Sequence, residues 1–153
     1  MSEVKQLGHL VLYVRDVGRS AAFYRDVLGW RQVFPEPGED PAKVAAFSSG
    51  RTHHELLLIE VGHDAQPVPA GRRVGLYHFG LKVGDTDDEL RAALAQVQAA
   101  GATVVGSSDH GVTHSLYITD PDGNEIELYI DVAGVDWRED PALVLSPIRP
   151  LRL

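Results

Sequence analysis

The sequence predicts an α+β fold made of two paired βαβββ modules that form a cleft. Three observations support this prediction. A strand-like segment near the start recurs 69 residues later, each copy of it runs into a helical pattern, and short apolar runs follow each helix. A module of about 60 residues buries little core on its own, so we expect the two copies to pack as a pair, either within one chain or exchanged with a second chain.

The internal repeat is clearest at the first strand of each copy. Residues 8–16 align with residues 77–85, and the two segments share a His, a Leu, a Val and an Asp at matching positions. Each segment is apolar and β-branched enough to form a strand. The repeat therefore places His9 and His78 at equivalent points of equivalent strands, where a two-fold relation would bring them face to face across the cleft.

The helix of each copy is marked by its end signals. Residues 18–28 carry an apolar stripe, and Gly29 after them supplies a left-handed stop. The second helix begins with the capping-box pattern of Thr86–Glu89 and closes at Gly101.

Short strand-like runs follow both helices, at 31–34, 43–47 and 54–61 in the first copy and at 103–105, 114–119 and 125–130 in the second. We therefore divide a single domain of residues 1–153 into a first module at about 5–61, a linker at 62–75, a second module at about 76–132 and a tail at 133–153. The linker contains Arg72 and Arg73, which we expect to be solvated.

Composition limits the classes of function. The chain has 14 Lys and Arg against 22 Asp and Glu, and the net charge of −8 argues against nucleic acid and anionic membrane surfaces as partners. We find no run long enough to span a bilayer and no signal-peptide pattern, so we expect a cytoplasmic protein with no membrane partner. The absence of cysteine excludes disulfides, thiolate metal sites and thiol nucleophiles, and it leaves seven histidines for metal chemistry.

Two histidines and a carboxylate are the candidate metal ligands. His9 and His78 occupy matched positions of the repeat, and strand alternation near the end of the second copy puts Glu125, Glu127 and Tyr129 on one face. Two neutral imidazoles and one carboxylate suit Fe(II), Mn(II), Ni(II) or Zn(II), and they leave coordination positions open for a substrate. The predicted cleft is therefore a metal-binding cleft.

With these residues the whole chain resembles the vicinal oxygen chelate superfamily, which includes glyoxalase I, fosfomycin-resistance proteins, bleomycin-binding proteins and extradiol dioxygenases. The matching marks are His9, His78 and the segment Asp120–Leu128. The resemblance implies paired βαβββ modules that surround one metal ion.

Two further segments, 75–78 and 108–117, are similar to catechol 2,3-dioxygenases, as is the C-terminal tail. In that family Fe(II) is held by two His and one Glu, which the resemblance places at His9, His78 and Glu127. It therefore implies an oxidoreductase, an extradiol dioxygenase that uses O2 to cleave the ring of a small catechol-type aromatic diol. Many such enzymes are longer and have an additional pair of modules, so we expect either a more open cleft or, as the favoured alternative, a homodimer that completes it.

The same resemblance assigns roles to three more residues. It places a base at His63, ahead of the second ligand, a substrate-orienting tyrosine at Tyr117 and a histidine that donates to the substrate at His110. A base is needed to take the second phenolic proton, and histidine is the side chain suited to that near neutral pH. His114 is three residues from Tyr117, so in a regular strand it points to the opposite face.

Two other functions on the same scaffold stay open. A glyoxalase I-like isomerase or transferase uses a fourth ligand and favours Ni(II) or Zn(II). Glu60 lies 51 residues after His9 and Glu127 lies 49 after His78, which makes Glu60 nearly the mate of Glu127. The third function is a non-catalytic module that binds a drug-like molecule in the cleft without a metal.

Overall fold

The computed structural model describes residues 2–36, 38–40 and 43–153. The chain divides into two units, Met1–Pro67 and Val68–Leu153, and each has its own sheet. Both units begin with a strand, a helix and three more strands in that order, so the predicted α+β class with two βαβββ modules is confirmed. Among the described residues, no helix is long and apolar enough to cross a membrane.

The first unit has a four-stranded sheet with the order β1-β4-β3-β2. Strand β1 runs parallel to β4, whereas β3 is antiparallel to both of its neighbours. In chain order the elements of this unit are β1 (Leu10–Val14), α1 (Val17–Ala22), a π-helical turn (Phe23–Val27), β2 (Gln32–Phe34), β3 (Val44–Phe47) and β4 (Leu56–Glu60).

The first helix differs from its prediction in its second half. It begins where the Asp16 side chain accepts a hydrogen bond from the backbone N–H of Arg19, as a helix N-cap does. Beyond α1 the Leu28 N–H bonds to the carbonyl of Phe23, five residues earlier, so the predicted α-helix ends as a wider π-helical turn. Gly29 then has a φ of +68°, which confirms the predicted left-handed stop.

The second unit has a five-stranded sheet with the order β5-β8-β7-β6-β9, in which β5 and β8 are parallel and the other pairs are antiparallel. Its elements are β5 (His78–Gly84), α2 (Asp87–Ala99), β6 (Val104–Asp109), β7 (Thr113–Thr119), β8 (Glu125–Asp131), a 3-10 turn (Pro141–Leu145) and β9 (Arg149–Pro150).

The start of α2 confirms the predicted capping box. The Thr86 hydroxyl accepts from the Glu89 N–H at 3.3 Å, and the Glu89 carboxylate accepts from the Asp85 N–H at 2.8 Å. The Asp85 N–H, and next the Thr86 hydroxyl, which also donates to the Glu89 carboxylate at 2.8 Å, lower the pKa of Glu89. The chain also leaves α2 as predicted, since Gly101 has a φ of +69°.

The tail and β6 depart from the sequence prediction together. Strand β6 was expected to end at residue 105 and instead continues to Asp109, because it pairs with β7 on one side and with β9 of the tail on the other. The Ser107 hydroxyl also donates to the carbonyl of Leu151 at 2.8 Å. The tail therefore forms the outer edge of the second sheet.

Candidate functional site

The candidate ligands of the second unit lie on one face of its sheet. In the parallel pair β5–β8, His78 pairs with Glu125 and Gly80 pairs with Glu127. The other face of β8 carries side chains that are at most 3% exposed, and these are Ile126, Leu128 and Ile130. The predicted alternation along β8 is therefore confirmed, and it leaves His78 Nε2 3.3 Å from Glu127 Oε2.

Gly80 leaves room for the Tyr129 ring, which lies on the same face of the sheet as Glu127. A Cβ at Gly80 would lie 3.2 Å from that ring, closer than an ordinary contact, and 3.8 Å from Glu127 Oε2, which is an ordinary contact. Glycine at this position therefore lets the Tyr129 ring pack over β5 beside Glu127.

Tyr117 and His110 extend this set of polar contacts. Tyr117 pairs with Glu127 across β7 and β8, and its hydroxyl donates to Glu127 Oε1 at 3.1 Å. His110, in the turn between β6 and β7, has its Nε2 2.7 Å from the Tyr117 oxygen. A hydroxyl has one hydrogen to donate, so His110 Nε2–H donates to the tyrosine. Burial, and next the charge of Glu127, raise the pKa of Tyr117, which keeps its hydroxyl protonated.

His114 lies on the other face of β7, as its spacing from Tyr117 predicts. Its Nδ1 is 2.6 Å from the Asp87 carboxylate of α2, so it faces the helix. The structure thus brings four of the predicted site residues together and keeps His114 apart from them. The four are His78, Glu127, Tyr117 and His110. The catalytic roles assigned to His110 and Tyr117 stay predictions.

His9 and His63 both belong to the first unit. His9 is exposed and lies one residue before β1, although the sequence had placed it on that strand. His63 is exposed in the turn that follows β4. Because β1 and β4 are parallel and in register from Leu10↔Leu56 onwards, the two histidines lie at opposite ends of this strand pair.

Two histidines outside the predicted site, His53 and His54, lie beside His9. The His54 ring is 4.5 Å from the His9 ring and the His53 ring is 6.4 Å from it, centroid to centroid. Burial, and next the electrostatic effects of the neighbouring His53 and His9, lower the pKa of His54. The signal for this cluster was the His53-His54 pair, which is separated by one residue from the start of β4, the strand that pairs with β1.

The strand register identifies the counterpart of Glu127 in the first unit. Glu127 pairs with the residue two positions after His78. In the first unit, the residue that pairs with the position two after His9 is Leu57. An apolar side chain, which cannot bind a metal ion, therefore stands at the position that matches Glu127.

Glu60, which the spacing had suggested as the mate of Glu127, does not occupy that position. It lies three residues beyond Leu57 and pairs with Val14 at the far end of β1, and an odd separation along a strand turns it to the other face. Its Oε2 accepts from the Val17 N–H at 3.1 Å, at the start of α1. The expectation that Glu60 matches Glu127 is wrong, because residue counting does not fix strand register.

The donor chemistry of His78 and Glu127 fits a divalent metal. One imidazole nitrogen and one carboxylate oxygen approach each other, and both are groups that bind Fe(II), Mn(II) or Zn(II). His78 Nδ1 is buried without a hydrogen-bond partner and faces Glu125 Oε1 at 3.5 Å, a neighbour that can fix the ring orientation of a ligating histidine. Within the described ranges, no three His, Cys, Asp or Glu side chains are grouped so as to hold a metal ion.

Comparison with known proteins defines the class. Residues 6–128 match the family described as the Glyoxalase/Bleomycin resistance protein/Dioxygenase superfamily. That match covers well over half of the chain, so the chain belongs to this superfamily.

Individual relatives include two dioxygenases and one lyase. The chain is 34% identical to a catechol-2,3-dioxygenase of Bacillus subtilis over 90% of its own length, and 32% identical to biphenyl-2,3-diol 1,2-dioxygenase 3 of Rhodococcus globerulus over 86%. It spans 46% and 66% of those two proteins. A solved structure of lactoylglutathione lyase from Agrobacterium tumefaciens matches 84% of this chain and 96% of that one, with 28% identity and a TM-score of 0.60.

Proposed function

We propose that the protein is an Fe(II)-dependent extradiol dioxygenase that cleaves the ring of a catechol-type aromatic diol with O2. The observation that carries the proposal is Leu57 at the position that matches Glu127, since a leucine side chain cannot supply a fourth metal ligand. Two histidines and one carboxylate with open positions are typical of non-haem Fe(II) oxygenases. The similarity to two ring-cleaving dioxygenases supports the same class.

In this proposal His9, His78 and Glu127 hold the metal. Bound Fe(II) would supply Lewis-acid polarisation of the diol and redox chemistry with O2. The protein's own part is to position the diol and move its protons. Glu127 uses Oε2 towards His78 and Oε1 towards Tyr117, so the tyrosine holds the carboxylate through the oxygen that does not face the imidazole.

The remaining polar groups handle protons and orientation. The Tyr117 hydroxyl orients a substrate oxygen. His110, whose Nε2–H is hydrogen-bonded to the Tyr117 oxygen, is the proton donor. His63 is the proposed base, because histidine is the side chain that exchanges protons near neutral pH. Since the chain spans less than two thirds of the two dioxygenases, we also propose that a homodimer completes the enzyme.

Oxygen uptake tests the proposal directly. The protein is loaded with Fe(II) under anaerobic conditions and then given catechol and air. We expect oxygen to disappear in equal amount with the diol, together with a yellow ring-cleavage product followed by visible absorbance. No uptake with several catechols despite bound Fe(II) would contradict the dioxygenase assignment, and failure to bind any divalent metal would point to a small-molecule binding module.

A glyoxalase I-like isomerase or transferase is the second candidate, supported by the nearly full-length match to a lactoylglutathione lyase structure. The Glu60→Ala variant separates the two enzymes. We expect Fe(II) affinity and oxygen uptake to stay nearly unchanged, because the Glu60 carboxylate bonds the Val17 N–H at the start of α1. The free energy of unfolding should fall by about 1 kcal/mol, as for the loss of a helix cap.

The control for that experiment is Glu60→Gln, which keeps an oxygen that can accept the Val17 N–H and should restore most of the lost stability. Metal affinity measured by anaerobic titration and stability measured by urea unfolding report on the two roles separately. A large loss of metal binding in Glu60→Ala would establish a four-ligand site and favour the isomerase.

A further inference from the structure

A cleft of about 890 Å³ lies in the second unit, and most of the residues that line it have no part in the candidate site. One wall is the chain segment 68–73 with the ring of Tyr77, and the other is formed by Thr119, Gly123 and Glu125 at the ends of β7 and β8. Its volume is within the range of small-molecule binding sites.

The cleft is continuous with the face that carries the candidate ligands. Thr119 pairs with Glu125, and the next row on the same face of the sheet is the pair of Tyr117 and Glu127. Residues two apart on a strand are separated by about 7 Å, so the cleft begins one row of side chains from the Glu127 carboxylate. A bound ring near Glu127 can therefore extend a substituent into the cleft.

Tyr77 and Glu125 lie between the cleft and the candidate metal ligands. The Tyr77 ring lies 4.6 Å from the His78 ring, centroid to centroid. The charge of Glu125, followed by burial, raises the pKa of Tyr77, so the two side chains lie close enough to interact. Since Glu125 also lies 3.5 Å from His78 Nδ1, its negative charge is engaged at the ligand end of the cleft.

The segment 68–73 brings two adjacent cations, Arg72 and Arg73, to the lining of the cleft. Arg73 donates to the carbonyl of Leu76 at 3.3 Å, and within the part of the chain that the structure describes neither guanidinium is paired with a carboxylate. Other arginines of this acidic chain do have such partners, namely Arg25, Arg51 and Arg91. Guanidinium groups bind carboxylates through paired, charge-assisted hydrogen bonds.

We propose that the cleft binds an anionic substituent of the substrate through Arg72 and Arg73. The substrate class is then an aromatic diol that carries a carboxylate on a short side chain. The diol part of this inference rests on the proposed dioxygenase function, whereas the anion-binding part concerns the cleft alone. The sequence had suggested only a solvated linker pair at these two positions, and the structure shows them lining a cavity.

Binding to the metal-free, full-length protein tests the anion site without any turnover. The probes are 3,4-dihydroxyphenylacetate and its neutral amide, which differ in charge and hardly in shape, and affinity is measured by calorimetry. We expect the acid to bind about tenfold more tightly than the amide, the gain typical of one charge-assisted contact. The Arg72→Ala/Arg73→Ala variant should bind both probes equally.

Arg91→Ala is the matched control, since it removes one positive charge from the exposed surface of α2 in the same unit. It should keep the tenfold preference, and Arg72→Lys/Arg73→Lys should keep part of it. An equal affinity of the wild-type protein for both probes, or a preference that survives the double alanine variant or is lost in Arg91→Ala, would overturn the proposal.

Ring cleavage distinguishes this failure from failure of the proposed function. A protein that cleaves catechol and shows no preference for the acid is a dioxygenase without the anion site. A protein that prefers the acid through its arginines and cleaves no diol keeps the anion site and loses the dioxygenase assignment.

Discussion

Replacing Glu127 with Gln is expected to lower Fe(II) affinity by more than about a hundredfold and to abolish most oxygen uptake. Removing a residue that only hydrogen-bonds to a metal ligand lowers metal affinity by about 10- to 100-fold. Neutralising the ligand itself should lower the affinity further. The shape of the side chain is retained, and the Tyr117 hydroxyl can still donate to the amide oxygen. Anaerobic metal titration of the variant measures the effect.

Glu125→Gln is the matched control, two residues earlier on the same face of β8. Its carboxylate faces Nδ1 of His78, whereas Glu127 faces Nε2. We expect the loss of metal affinity in Glu125→Gln to be at least about ten times smaller, because the group can orient the imidazole without binding the metal. If the two variants lose equal metal affinity, or Glu125→Gln loses more, Glu127 is not the distinct ligand and the role is assigned to Glu125.

Local patterns predicted the parts of the site that depend on a single element. Alternation along β8 separated Glu127 from Ile126, and the spacing of His114 from Tyr117 put the two on opposite faces of β7. The capping box at Thr86 was readable for the same reason, since its hydrogen bonds join residues of one helical turn.

Features that depend on pairing between distant strands were not readable from the sequence. Counting residues from His9 made Glu60 look like a ligand, whereas the register of β1 with β4 gives that position to Leu57. The number of residues between the first and last strands differs between the two units. Counting the same number of residues from His9 and from His78 therefore does not lead to equivalent positions in the two sheets. The two-residue strand β9 has too little pattern to be predicted, and it forms only because β6 offers a free edge.

Two histidines of one hairpin provide the second large test of the site. His110→Gln is expected to lower kcat by about a hundredfold, the scale of one general acid or base. Its Nε2–H donates to the Tyr117 oxygen, and Tyr117 in turn donates to Glu127 Oε1. Since His110 is 3.8 Å from the Glu127 carboxylate rather than hydrogen-bonded to it, Fe(II) affinity should change much less than kcat.

His114→Gln makes the same chemical change four residues further along, on the face turned towards α2. His114 is bonded to Asp87 of that helix, so its loss should lower the free energy of unfolding by about 1 kcal/mol and leave kcat nearly unchanged. Steady-state oxygen uptake and urea unfolding of both variants separate a proton donor from a packing contact. A similar kcat for both variants would contradict the role of His110 as proton donor. Tyr117 would then be the only one of the two residues with a role towards the substrate.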